Sequence, residues 1–295
     1  NGASVRGKKG KNVLEEDAQD IVEELTRLEG AANIGPLTAE GDGVTDTDSE
    51  GRTHLHYAAQ NGMERGVTWL LKQGAHVDAE DKQGTTALAR CASGDSLCLE
   101  LLIRAGADVD RKDLEGVSPL HRAALSGQLA NLKLLLASSA DVNTFDHRNG
   151  CSPLHDACYG GDADCVKELL GASAEVNLIT RGTGDRNQGA SALHFAAQEN
   201  HTKVVSLLLK KKAAVNIQDS KGCAALHYAA YNGSAGAVSE LLKHKADKTV
   251  KNKDGKTPLD VAWERKGDRD RKGDGKETIN ALERDGDNGK GCVVC

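Results

Sequence analysis

From Gly51 onward the chain alternates short apolar segments with polar turns at a steady beat. Each beat opens at a glycine and runs into a Thr/Ser-x-Leu segment with an alanine pair. It then breaks at Gly or Asn and resumes with leucines at helical spacing. The opening glycines are Gly51, Gly84, Gly116, Gly150, Gly189, Gly222 and Gly255, a period of about 33 residues. The pattern spells turn, helix, loop, helix, repeated. The pairs Ala58/Ala59, Ala123/Ala124, Ala196/Ala197 and Ala229/Ala230 leave room for a neighbouring helix. Leu70 and Leu71, Leu101 and Leu102, Leu134 to Leu136, Leu169 and Leu170, Leu207 to Leu209, and Leu241 and Leu242 are expected to fill the space behind. A unit of this size cannot bury its own apolar face, so stacking on neighbours is the expected source of stability and the displayed surface the expected source of function.

The segments SPLHRAA (Ser118 to Ala124) and SPLHDAC (Ser152 to Cys158) resemble the T-P-L-H-x-A signature of ankyrin repeats. The resemblance covers about Gly51 to Lys266. It implies an all-α ankyrin-repeat solenoid of helix-turn-helix units with β-hairpin-like loops, about six full repeats and a C-terminal capping repeat. His56, His121, His155, His194 and His227 share one slot, where the family uses the ring to hydrogen-bond neighbouring turns.

Departures from the pattern carry their own expectations. The second copy, TALARCAS, has Ala89 in the His slot and a loop one residue short, so it is expected to be the weaker repeat. The glycine spacing widens between Gly150 and Gly189, and the surplus falls in Leu178 to Gln188, expected to project as an extended hairpin. The reading divides the chain into a flexible basic N-terminus (1–11), an N-terminal helix or capping half-repeat (12–34), a linker (35–50), the repeats (51–266) and a charged flexible tail (267–295).

Thirty-eight basic against 44 acidic residues give a net charge of −6, which argues against a nucleic-acid partner. No apolar run reaches membrane-spanning length. The eight cysteines follow the repeat rather than a disulfide framework, and no pair of C-x-x-C motifs suggests zinc. Asp46, Asp48 and Glu50 imitate half a calcium loop, but Tyr57 stands where the last ligand belongs. No nucleophile elbow, kinase set or paired carboxylates emerge, so no catalytic residue, metal site or cofactor is assigned.

Two signals point to function. The first is the surface that the resemblance implies for partner binding: hairpin tips and the ends of the inner helices. Slot by slot this gives Asn61, Leu114, Leu125, His147, Tyr159, Gln198, Tyr231 and Asn232. Leu114, Leu125, Tyr159 and Tyr231 are unusual as apolar residues at slots expected to face solvent. The second is the ending Cys292-Val293-Val294-Cys295, which resembles a C-a-a-X prenylation box with an atypical last residue. The sequence therefore suggests a monomeric, cytoplasmic, non-enzymatic scaffold or adaptor for an unnamed protein, peripheral on a membrane if Cys292 carries a lipid, with a nuclear location left open. The competing reading is the regulatory or substrate-recruiting part of a larger enzyme such as a kinase, ubiquitin ligase or acyltransferase.

Overall fold

The computed structural model describes residues 44–182, 188–266 and 275–284. Among them every regular element is helical: α1 (His54–Gln60), α2 (Glu64–Lys72), α3 (Ala87–Cys91), α4 (Ser96–Arg104), α5 (Pro119–Leu125), α6 (Leu129–Ala137), α7 (Pro153–Gly160), α8 (Ala163–Gly171), α9 (Ala192–Gln198), α10 (Thr202–Lys210), α11 (Ala225–Asn232), α12 (Ala235–Lys243), α13 (Pro258–Lys266) and α14 (Gly275–Glu283). Odd-numbered helices up to α13 are the inner helices, and even-numbered ones up to α12 the outer. The chain forms two compact units. Of the described residues, one takes in those up to Leu120 plus 130–140, the other His121–Leu129 and those from Asp141 onward.

Inner helices of five to nine residues are too short to persist alone. Five devices fix them, and each follows from the repeat's residues. The alanine pairs are buried, which lets helices approach closely. The repeat glycine takes a positive φ at the hairpin corner: Gly84 sits at +72°, and a Cβ there would meet the Leu114 backbone nitrogen at 3.1 Å. An Asp three residues before it accepts two backbone N–H groups of its own turn. Asp81 accepts from Gln83 and Thr85, and Asp219 from Lys221 and Cys223, all at 2.8–2.9 Å. Backbone bonds link hairpins to their neighbours, such as Lys82 to the Glu50 carbonyl (2.8 Å) in the first unit and Lys253 to the Lys221 carbonyl (2.9 Å) in the second.

The fifth device is the repeat histidine. The Nδ1 of His56 accepts the Thr53 N–H at 3.0 Å, so its proton resides on Nε2, which donates to the Thr85 carbonyl at 2.9 Å. His194 does the same between Ser191 and Cys223, and His227 between Ala224 and Lys256. His121 Nε2 reaches the Cys151 carbonyl at 3.1 Å. The geometry is that of a capping box with imidazole in place of Glu or Gln.

The structure differs from the sequence reading in three places. The first hairpin begins before Gly51: Thr47 pairs with Thr53, and Asp48 accepts the backbone N–H groups of Glu50 and Arg52, so residues assigned to the linker form the first arm. Asp48 is therefore a turn residue, where the imitation calcium loop had placed a ligand. Within 267–295, read as a charged flexible tail, residues 275–283 form α14. It buries Thr278, Ile279 and Leu282 against α12 and α13, and Lys248 Nζ donates to the Arg284 carbonyl (3.1 Å) just past its end. Finally, the shortened loop of the second repeat is compensated. Asn131 on α6 is fully buried, and its amide donates to the carbonyls of Cys91, Ala92 and Gly94 at 3.0–3.2 Å.

The hairpin at Leu178 to Gln188 is closed at its base. Thr180 N–H donates to the Ala190 carbonyl and Gly189 N–H to the Thr180 carbonyl, while Ile179 pairs with Ser191. Its first arm lies against the preceding hairpin: Arg181 and Gly182 N–H groups donate to Gly150 and Asn149, and the Arg181 guanidinium stands 4.3 Å over the Phe145 ring. The tip at 183–187, the N-terminal half-repeat at 12–34 and Cys292 lie outside the described residues.

Candidate binding surface

The sixth residue after the first of each seven- or eight-residue inner helix falls at its exposed end. There the chain has left the alanine pair and not yet turned toward the outer helix. Within the second unit this slot holds Leu125, Tyr159, Gln198 and Tyr231. Leu125 and Tyr159 are each 47% exposed and Tyr231 43%, whereas Leu120, Leu154 and Leu226 near the starts of the same helices are buried. Gln198 is half-buried, as is Asn232, which donates to the Tyr228 carbonyl at 3.0 Å. The Tyr159 ring meets Phe195 edge-on, centroids 6.4 Å apart, and its backbone carbonyl accepts from His201 Nε2 at 3.0 Å. Tyr159 is therefore held in place from two sides. Helices α5 and α7 come close beneath the row: a Cβ on Gly160 would stand 2.5 Å from the Leu125 carbonyl oxygen.

Beside Tyr231 a cleft of about 330 Å³ opens between the last two hairpins and the inner helices, lined among others by Lys221, Tyr228, Tyr231, Asn252 and Val261. His147 is exposed on a hairpin of the same unit. Of the candidates in the first unit, Leu114 is 71% exposed at a hairpin tip and Asn61 is exposed at the end of α1. The structure thus brings Leu125, Tyr159, Gln198 and Tyr231 into one slot row, with Asn232 next to Tyr231, while Asn61 and Leu114 belong to the other unit.

The titratable groups are committed to the fold. Burial holds the imidazoles of His56, His194 and His227 below their ordinary range and brings His155 down to about 4. A neutral ring with one accepting and one donating nitrogen is what the hairpin bonds require. Burial also pushes up the thiols of Cys91, Cys151 and Cys158, and that of Cys165 to about 12, which leaves them poor nucleophiles. Among the described residues no group of three His, Cys, Asp or Glu is placed to hold a metal ion. No described helix is long and apolar enough to cross a membrane.

The sequence reading passed over two residues that break the pattern of their slots. Asn131 occupies a slot held by Gly66, Cys98, Cys165, Val204 and Ala237 in the other repeats, so a polar side chain among small or apolar ones was the available signal. Asp156 follows the repeat histidine, where the other copies place Tyr57, Arg90, Arg122, Phe195 and Tyr228.

A family profile described as Ankyrin repeats (3 copies) matches the chain in overlapping stretches, 13–113, 55–146, 91–180, 120–219, 154–252 and 193–270. Among solved structures, the crystal structure of the human ASB11 ankyrin repeat domain is similar, with a TM-score of 0.67 at 23% identity over 78% of this chain and 98% of that one. No curated protein gives a significant match.

Proposed function

Since the chain belongs to the ankyrin-repeat family, whose arrays typically mediate protein-protein interaction, we propose that it is a non-enzymatic binding module holding a protein partner on the inner-helix ends of its second unit. Leu125, Tyr159 and Tyr231 are the anchors, and Gln198 and Asn232 supply polar contacts beside them. The supporting observation is the coincidence of three large side chains, each more than two-fifths exposed, at one repeat slot. Exposed aromatics on a rigid platform lose little conformational entropy on binding and are enriched at energetic hot spots. The repeat histidines support the absence of chemistry, because both ring nitrogens are engaged in holding hairpins.

Single substitutions test the reading. Tyr159→Ala and Tyr231→Ala are each expected to weaken partner binding about tenfold or more, with melting temperature held within about 3 °C. A large fall in melting temperature would make the rings part of the core, and unchanged binding would remove them from the interface.

A further inference from the structure

The slot after the repeat histidine obeys a pairing rule with the Asp that opens the same repeat's hairpin. Where the hairpin holds Asp, the slot supplies a donor: Tyr57 Oη donates to Asp48 at 2.7 Å, Arg90 pairs with Asp81, and Tyr228 Oη donates to Asp219 at 2.7 Å. Asp113 and Arg122 stand in the same sequence relationship. Where the hairpin lacks Asp, the slot is apolar. Thr180 opens the fifth hairpin and the slot is Phe195; Asn252 opens the seventh and the slot is Val261. The reason is elementary. A turn carboxylate has acceptor capacity left after capping its own backbone, and a donor nine residues on, in the inner helix that follows the hairpin, uses it.

The fourth repeat breaks the rule. Its hairpin acid, Asp146, accepts three backbone N–H groups, from Asn149 (2.6 Å), Gly150 (3.1 Å) and Cys151 (3.0 Å), yet the slot holds another acid, Asp156. Its half-buried carboxyl has no hydrogen-bond or ion-pair partner among the described residues. Lost hydration and the charge of Asp146 both oppose its ionisation. Around it stand groups suited to a cation's stem. Tyr159 lies one turn further along the same helix face, Phe195 holds the Tyr159 ring edge-on, and Leu125 occupies the equivalent slot of the preceding repeat.

We propose that Asp156 and Tyr159 form a receptor for a lysine or arginine side chain of the partner protein, whose cation completes the pairing that the fourth repeat lacks while its aliphatic stem lies on the Tyr159 ring. The inference rests on the inner-helix reading above and narrows it to a partner with a basic residue flanked by apolar ones. Charge complementarity decides between occupants. An acidic or wholly apolar segment would leave the Asp146–Asp156 conflict as it stands, whereas a cation relieves it and gains from the adjacent aromatic face.

The test is selection of a random peptide library displayed on phage against the intact chain, with affinities of the selected peptides measured for three variants. Selected peptides are expected to share a Lys or Arg. Asp156→Asn is expected to weaken them on the order of tenfold or more, with melting temperature unchanged or raised because a carboxyl has been removed from another. Asp156→Tyr restores the rule of the first and sixth repeats and is expected to raise the melting temperature while abolishing binding. Peptides lost on Tyr159→Ala but carrying no cation and indifferent to Asp156→Asn would overturn this receptor and leave the inner-helix surface standing. Peptides indifferent to every substitution would overturn both, as would failure to select any. A fall in melting temperature for both Asp156 variants would show that its carboxyl is a structural tie.

Discussion

His155 Nε2 donates to the carbonyl of Leu178 at 3.1 Å, only 23 residues along the chain, whereas His56, His121, His194 and His227 each reach 29 or 30 residues ahead, to the residue before the next helix cap. The exception has a local cause. The long hairpin brings its first arm, carrying Leu178 and Ile179, opposite the residues leading to Ser191, so the fourth repeat's histidine ties down the outgoing arm. The ring thus anchors the base of the extended hairpin to α7.

Burial of the His155 ring makes stability depend on pH, because lost hydration lowers its pKa while the hydrogen bond to Leu178 works the other way. The unfolded imidazole titrates near 6.5 and folded His155 at about 4, so the unfolded chain binds more protons between these values. The stabilisation is fully present above pH 6.5 and is lost as pH falls toward 4, about 3 kcal/mol for this residue alone. His56, His194 and His227 shift in the same direction and add to the loss. Urea denaturation between pH 7.5 and 4.5 is expected to show a falling midpoint, and His155→Gln a shallower fall; a flat profile would contradict the buried neutral rings.

Asn131→Ala removes an amide whose two N–H donors are shared among the carbonyls of Cys91, Ala92 and Gly94 around the short second-repeat loop. Because Ala237 fills the same slot elsewhere, the side chain fits and the hydrogen bonds account for most of the effect. The expected cost is about 2–4 kcal/mol, read as a lower denaturation midpoint. Hydrogen exchange should localise the loosening to α3 and its loop.

Thr278 is fully buried on α14, and its hydroxyl has no hydrogen-bond partner among the described residues. Thr278→Val keeps the shape and removes that unmet group, so a gain of about 1 kcal/mol is expected. Slower exchange of the α14 amides would accompany it. Destabilisation would mean that the hydroxyl is satisfied in solution.

Gly160→Ala would press a methyl group to 2.5 Å from the Leu125 carbonyl oxygen. Helices α5 and α7 would have to separate, at about 1–3 kcal/mol. Because the contact lies beneath Leu125 and Tyr159, partner binding should weaken along with stability, unlike the effect expected of Tyr159→Ala.

The features written in the sequence are those the repeat states many times over. The alanine pairs, the glycine corners and the histidine slot recur, so each copy corroborates the others, and the one-residue deficit after Ala89 stands out against them. Features stated once were harder to see. Helix α14 rests on Thr278, Ile279 and Leu282 amid charged residues, too few apolar positions to announce a helix before its docking surface is known. The role of Asn131 depends on carbonyls some 40 residues earlier. Asp156 was legible in principle, because aligning the residue after each histidine against its hairpin acid exposes the mismatch without coordinates. The exposed row was legible for a different reason: Leu125, Tyr159 and Tyr231 are apolar where the repeat itself gives no packing reason for them.

The central claim, that this row binds a protein partner, is tested most directly by affinity capture from the native cell type with mass spectrometry, comparing the intact chain with the Leu125→Ala/Tyr159→Ala/Tyr231→Ala variant at matched folding. The account predicts that the variant melts like the parent and loses a discrete set of captured proteins, one of which binds the parent directly when purified. Retention of every captured protein by a folded variant would contradict it.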